Sequence, residues 1–290
     1  MAGIPASGPA EKVAGRRGVR QVGRAMSDSG FGSSTLALAL VGSAVTILST
    51  SLGALPALAA RSISQRSKDV LMGFSAGVML AATAFSLIVP AIHLAEERTH
   101  SRFLPAVVVG GSMLVGGLFL HLCNRFIPHE HFIKGQEGNA EAVNLKRIWL
   151  FVLAIALHNF PEGLAVGTGV GSRSMTIAVP ILVGIGLQDI PEGFVVALAL
   201  MGVAYSRKQA VLVALYTGLV EGVAALVGFF ATSFASGVLP WALAFAGGSM
   251  LYVVSDEMIP ESHRQEYAKE ATAGLMVGFV LMMFLDVTLS

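Results

Sequence analysis

Apolar runs of about 20 residues recur eight times between residues 35 and 289 of this chain. That length is the strongest constraint on its fold. About 20 helical residues, rising 1.5 Å each, cross the ~30 Å hydrocarbon core of a bilayer. No water is present there to satisfy backbone N–H and C=O groups, and an open sheet leaves its edges unpaired. The runs therefore predict helices, and the chain reads as an all-α polytopic membrane protein. The eight predicted spans cover about 35–58, 70–94, 104–124, 148–170, 176–202, 209–233, 238–260 and 271–289. Composition agrees. Charged residues make up 13% of the chain, about half the soluble average, and its 33 glycines suit close helix approach in lipid.

Residues 1–33 read as a mobile basic tail, and residues 34–290 as a single eight-span domain. Most connections are short, so neighbours in sequence should be antiparallel neighbours in space. The longest connection, about 125–147, is polar and carries His129-Glu130-His131. Two histidines at i, i+2 in such a loop read as a solvated surface or as a weak metal sensor. Lys and Arg in the loops set orientation. One side collects 11 and the other 3, with five more in the tail. The side with 11 is expected in the cytoplasm, which puts both termini outside the cell membrane, although the basic tail votes against it. Several functions drop out. The net charge is +1 and no basic module suits a nucleic acid. Cys123 stands alone, so there is neither a disulfide framework nor a thiolate cage. No Walker A loop or other nucleotide fingerprint is present.

Two matching hexapeptides interrupt the apolar pattern: His158-Asn159-Phe160-Pro161-Glu162-Gly163, and Gln188-Asp189-Ile190-Pro191-Glu192-Gly193. At 1.5 Å per residue His158 lies about 15 Å inside span four, near the midplane. Asp189 falls near the middle of span five and Glu221 near the middle of span six. His158 and Glu162 are i, i+4, and Asn159 and Glu162 are i, i+3, so all three share a helix face. Gln188, Asp189 and Glu192 repeat the geometry. Pro161 and Pro191 cannot donate to the carbonyls of Leu157 and Leu187, which frees two oxygens and bends each helix.

Energetics narrow the reading. An acidic group at a helix centre costs roughly 2.5–3.5 kcal/mol on insertion scales, so four of them cost on the order of 10 kcal/mol unless compensated. Two divalent cations would balance four carboxylates, with Glu162 and Glu192 as the natural bridges. Imidazole, amide and carboxylate ligands suit zinc, iron, manganese or cadmium better than copper(I). Taken singly, each feature has a blander meaning. A lone membrane His is more often a satisfied polar group, Met79 more often packing, and buried carboxylates can form a proton relay. The doubled motif with a third acidic span favours a metal path. Asp256, Glu257 and Glu261 at the end of span seven, Asp286 in span eight, and Ser86 and His93 in span two are further polar stations, with interfacial charge as the alternative.

His-Asn-x-Pro-Glu-Gly on the fourth of eight spans, then x-Asp-x-Pro-Glu-Gly on the fifth, resembles the ZIP (Zrt-, Irt-like) family of divalent metal transporters, and its bacterial members in particular. The resemblance extends over roughly residues 35–290. It implies uptake of Zn²⁺, and often Cd²⁺, Fe²⁺ or Mn²⁺, into the cytoplasm. It implies a 3+2+3 inverted-repeat arrangement, elevator-type alternating access, a homodimer and a binuclear metal site. One ion would take His158, Glu162, Gln188 and Glu192, with Met79 as a further ligand. The other would take Asn159, Glu162, Asp189, Glu192 and Glu221. The departure is Gln188, where many members carry His. On this reading the chain is not an enzyme, needs no prosthetic cofactor, and has metal ions and membrane lipid as its partners. An intramembrane di-metal enzyme and a proton-coupled carrier of organic solutes are the rival readings. The first lacks a separate nucleophile or an HExxH motif.

Overall fold

The computed structural model describes residues 31–59, 64–99, 103–126, 140–202, 205–234, 236–264 and 266–289. Among them all secondary structure is helical. The helices are α1 (Phe31–Ala54, continued by a 3₁₀ turn Leu55–Leu58), α2 (Gln65–Thr99), α3 (Phe103–Phe126) and α4 (Ala140–Gly171). They continue with α5 (Met175–Gly202), α6 (Arg207–Phe234), α7 (Leu239–Ser262) and α8 (Ala268–Leu289). Among the described residues seven, α1–α3 and α5–α8, are long and apolar enough to cross a membrane. The remaining one, α4, runs 32 residues, and the side chains of its first half, 140–155, lie outside the described set. Residues 1–30 and the 127–139 connection, with His129 and His131, also lie outside it. The chain divides within α1 into a short N-terminal unit ending at Leu38 and a main unit Ala39–Ser290.

Helices α2 and α4 start earlier than the apolar runs predict, at Gln65 and Ala140 against about 70 and 148. Hydropathy marks only the part of a helix that lipid can accept, and polar turns such as Gln65–Asp69 continue the same hydrogen-bond ladder beyond it. Local caps fix such ends. The Ser64 hydroxyl accepts from Ser67 N at 3.1 Å to start α2. Ahead of α6, Ser206 N donates to Gln209 Oε1 at 3.0 Å and Gln209 N to Ser206 Oγ at 3.4 Å, a reciprocal capping box.

The most extensive packing joins α4 to α6, α2 to α8 and α3 to α7. Glycine makes these pairs close, because lipid supplies no hydrophobic drive and association rests on contact. A methyl group at Gly163 or Gly167 would sit 2.0 or 1.8 Å from the carbonyl oxygens of Glu221 or Ala225. Gly73 and Gly77 meet Ala271 and Leu275 in the same way, with Gly274 and Gly278 returning the contact at Val70 and Phe74. In both pairs the contacts advance together along the two chains, so α4 runs parallel to α6 and α2 runs parallel to α8.

Two helices contain wide π turns: Ala82–Ile88 within α2 and Val254–Met258 within α7. Each is followed two residues on by a proline, Pro90 or Pro260. The proline ring clashes with the carbonyl four residues back, at Ser86 or Asp256, and a widened turn relieves that clash. Pro161 and Pro191, by contrast, sit inside helices that continue through them.

Candidate metal centre

The two hexapeptides and Glu221 come together. Glu162 of α4, Asp189 of α5 and Glu221 of α6 each offer a carboxylate oxygen within 4.8 Å of the others, and all three are buried. Their helix neighbours complete the cluster. Asn159 and Gln188 are buried, while His158 and Glu192 are partly so. The spacing predicted from sequence thus holds: one face of α4 and one face of α5 meet, and the third carboxylate joins from α6 because Gly163 lets α6 approach at Glu221 itself.

The cluster is held by a few hydrogen bonds. Gln188 Nε2 donates to Glu162 Oε1 at 2.6 Å. Asn159 hydrogen-bonds to the Glu221 carboxylate. From α1, Thr50 Oγ1 donates to Glu221 Oε2 at 3.3 Å and to its own Thr46 carbonyl at 3.1 Å. From α2, Ser75 Oγ donates to the Gln188 carbonyl at 3.3 Å.

The unsatisfied atoms are the informative ones. Six buried oxygens here have no donor: Asn159 Oδ1, Glu162 Oε2, Gln188 Oε1, Asp189 Oδ2, Glu192 Oε2 and Glu221 Oε1. All are acceptors, and a buried acceptor left bare costs roughly 1–3 kcal/mol, more when charged. Two like charges 4.8 Å apart repel by about 3–4 kcal/mol at an effective dielectric near 20. No Lys or Arg occurs in α1, in α4 beyond Arg147, in α5, or in α6 beyond Lys208. Repelling carboxylates, bare oxygens and no fixed cation describe a set of hard and borderline donors suited to a divalent cation.

His158 extends the cluster in a direction the sequence did not indicate. Its Nε2 contacts Glu257 Oε2 of α7. Asn124 Nδ2 of α3 donates to Glu257 Oε1 at 2.9 Å. Spacing alone places Glu257 at the end of span seven, as a further polar station or an interfacial charge. The π turn that contains it changes the register with which α7 faces its neighbours, and Glu257 meets His158. Sequence reasoning missed Thr50, Ser75 and Asn124 as site neighbours. For Thr50 a signal exists: Ser43, Thr46 and Thr50 recur at i, i+3, i+7, a polar stripe on an otherwise apolar helix, and all three are buried.

Other flagged residues lie elsewhere. Met79 is fully buried in an apolar cluster with Ile181 and Ile185, one turn beyond Ser75. Asp286 accepts from Ser86 Oγ, in the α2 π turn, at 2.5 Å. His93 pairs at 3.8 Å with Glu96 on an exposed surface.

Comparison with known proteins bears on this geometry. The profile of the family described as ZIP Zinc transporter matches residues 129–286. The chain is 46% identical over 250 residues to the zinc transporter GufA of Myxococcus xanthus, covering 86% of this chain and 98% of that protein. It is 45% identical over 251 residues to the zinc transporter ZIPB of Bordetella bronchiseptica, covering 87% and 81%. Human zinc transporter ZIP11 is 30% identical over 338 residues, covering 89% and 99%. With its hexapeptides, its buried carboxylates and a profile match across more than half its length, the chain belongs to the ZIP zinc transporter family, a family of membrane transporters and not of enzymes.

Proposed function

We propose that this protein carries divalent transition metal ions, zinc first and cadmium, iron or manganese with it, into the cytoplasm through a binuclear midplane site. The observation that carries the reading is the set of six buried, donor-less oxygens around three mutually close carboxylates. One ion takes His158, Glu162, Gln188 and Glu192, with Met79, one turn beyond Ser75 on α2, as a further ligand; the other takes Asn159, Glu162, Asp189, Glu192 and Glu221. Glu162 and Glu192 bridge them. An ion shedding water gains carboxylate and amide oxygens in exchange, and its charge removes the repulsion that burial imposes.

Eight spans in a 3+2+3 order fit the packing directions. Helices α2 and α8 run parallel, which requires an odd number of crossings between them. The five helices α3 to α7 satisfy this only if α4 crosses too. The π turns of α2 and α7, each with its following proline, suit equivalent members of two inverted three-helix repeats. Contacts group α1 and α4 with α6, and α5 packs on this group as well as on α2. Helix α1 reaches α6 through Ser43 Oγ on the Gly222 carbonyl at 3.0 Å, and α4 joins α6 through the glycine contacts. Gly193 of α5 abuts the Thr50 carbonyl of α1. Helices α2 with α8 and α3 with α7 form the other group. Sliding of α1, α4, α5 and α6 against the rest would carry the whole site, as an elevator mechanism requires. The loop charges favour the cytoplasmic membrane with both termini outside.

Replacing both Glu162 and Glu192 with alanine should abolish zinc flux into proteoliposomes. A double variant that elutes as a folded protein and still transports at the wild-type rate would overturn the proposal.

A further inference from the structure

A groove of about 440 Å³ lies on the outer surface of the helix pair α1 and α6. Its walls are Leu48, Leu52, Leu55 and Leu58 from α1 and Val211 and Leu212 from α6, and Lys208 stands at one end. The leucines at 48, 52 and 55 follow i, i+4, i+7 spacing and are exposed, on the side of α1 away from buried Thr46 and Thr50. They therefore face lipid. From Leu48 to Leu58 the groove spans about 15 Å, half the hydrocarbon core, which is the depth of one leaflet.

The polar end is built differently from the walls. Arg207 Nη1 donates to the Leu58 carbonyl at 3.0 Å, which ties the start of α6 to the end of α1. That contact engages the guanidinium. Lys208 is the next residue and an exposed part of the lining. It stands in the first turn of α6, where the helix dipole adds positive potential. An apolar slot one leaflet deep, ending in an ammonium group at a helix N-terminus, matches an acyl chain joined to a phosphate.

We propose that the α1/α6 groove binds an anionic phospholipid, its acyl chain between the two helices and its phosphate on Lys208. The assignment to the cytoplasmic leaflet, where anionic lipids concentrate, rests on the orientation proposed above; the binding itself does not. Both walls also contribute to the metal cluster from their other faces, through Thr50 and Glu221. A bound lipid thus touches the same two helices that hold the site.

Tryptophan placed in the groove of the full-length protein tests this. Leu52→Trp, read as the difference from the wild-type signal, is reconstituted with phosphatidylglycerol or phosphatidylcholine carrying brominated chains. Quenching should favour the anionic lipid by about fivefold, the order expected for one Lys at an anionic surface. Lys208→Glu in the same background should remove the preference while leaving quenching by bulk lipid. Leu212→Trp serves as a second reporter if the first variant does not fold. Equal quenching by both lipids, a preference that survives Lys208→Glu, or a groove shielded from lipid by a second copy of the chain would each overturn the proposal.

Discussion

At the residue scale the most telling position is Gln188. Its side-chain amide uses Nε2 to hold Glu162 and leaves Oε1 bare, so it presents an oxygen where an imidazole would present a nitrogen. An amide oxygen is a harder and weaker donor for zinc than imidazole, and it discriminates less against manganese. Gln188→His should raise apparent zinc affinity about tenfold and widen the zinc-over-manganese ratio in competition flux assays. An unchanged ratio would mean that Gln188 orients Glu162 without touching the ion. Thr50 is the quieter neighbour. Its hydroxyl hydrogen is shared between the Thr46 carbonyl and Glu221. Thr50→Val keeps the shape and removes that donor, so Glu221 should hold its ion less selectively. A two- to tenfold change in zinc affinity, measured by titration calorimetry on the folded variant, is the expected size, since a shared hydrogen bond contributes ~0.5–1.5 kcal/mol net.

At the element scale the glycine contacts carry the packing, and they differ from one another in a testable way. Gly163→Ala places a methyl group 2.0 Å from the Glu221 carbonyl oxygen. Backbone cannot yield there, so α4 must move away from α6, and the three carboxylates with it. Overpacking of this kind costs roughly 1–3 kcal/mol. Thermal stability should fall by several degrees and zinc flux should be lost. Gly110→Ala and Gly111→Ala on α3 meet nothing within 4 Å and should lose neither. Those two gain helix propensity instead. The π turns belong to the same scale. Each carries a polar side chain that pairs across to another helix: Ser86 with Asp286, and Glu257 with His158.

At the scale of the whole molecule, the proposed eight crossings rest on the parallel packing of α2 with α8 and of α4 with α6. Single cysteines in a Cys123→Ser background test the resulting topology. Ser172→Cys, between α4 and α5, should react with a membrane-impermeant maleimide from outside the cell. Ser206→Cys, between α5 and α6, should react only after permeabilisation. The reverse pattern would invert the direction of transport, and labelling of both from one side would remove α5 as a span.

The amino-acid sequence alone determined the helical, membrane-embedded class and pointed to the candidate site. Lipid demands apolar runs of one length, and buried charge is too costly to occur twice at matching spacing without a purpose. His158, Asn159, Glu162, Gln188, Asp189, Glu192 and Glu221 stand out in the sequence for that reason, and Glu162, Asp189 and Glu221 come together in the fold. Tertiary structure decided what surrounds them. Thr50 and Ser75 lie more than 80 residues from the groups they touch, and hydroxyls in membrane helices commonly bond their own backbone, so composition could not single them out. The reach of Glu257 to His158 depends on a π turn, and a turn of that kind leaves no mark in hydrophobic periodicity. The groove between α1 and α6 depends on how those two helices pack, through contacts between residues far apart in the chain. One chain position says little about such pairs until the helices are packed.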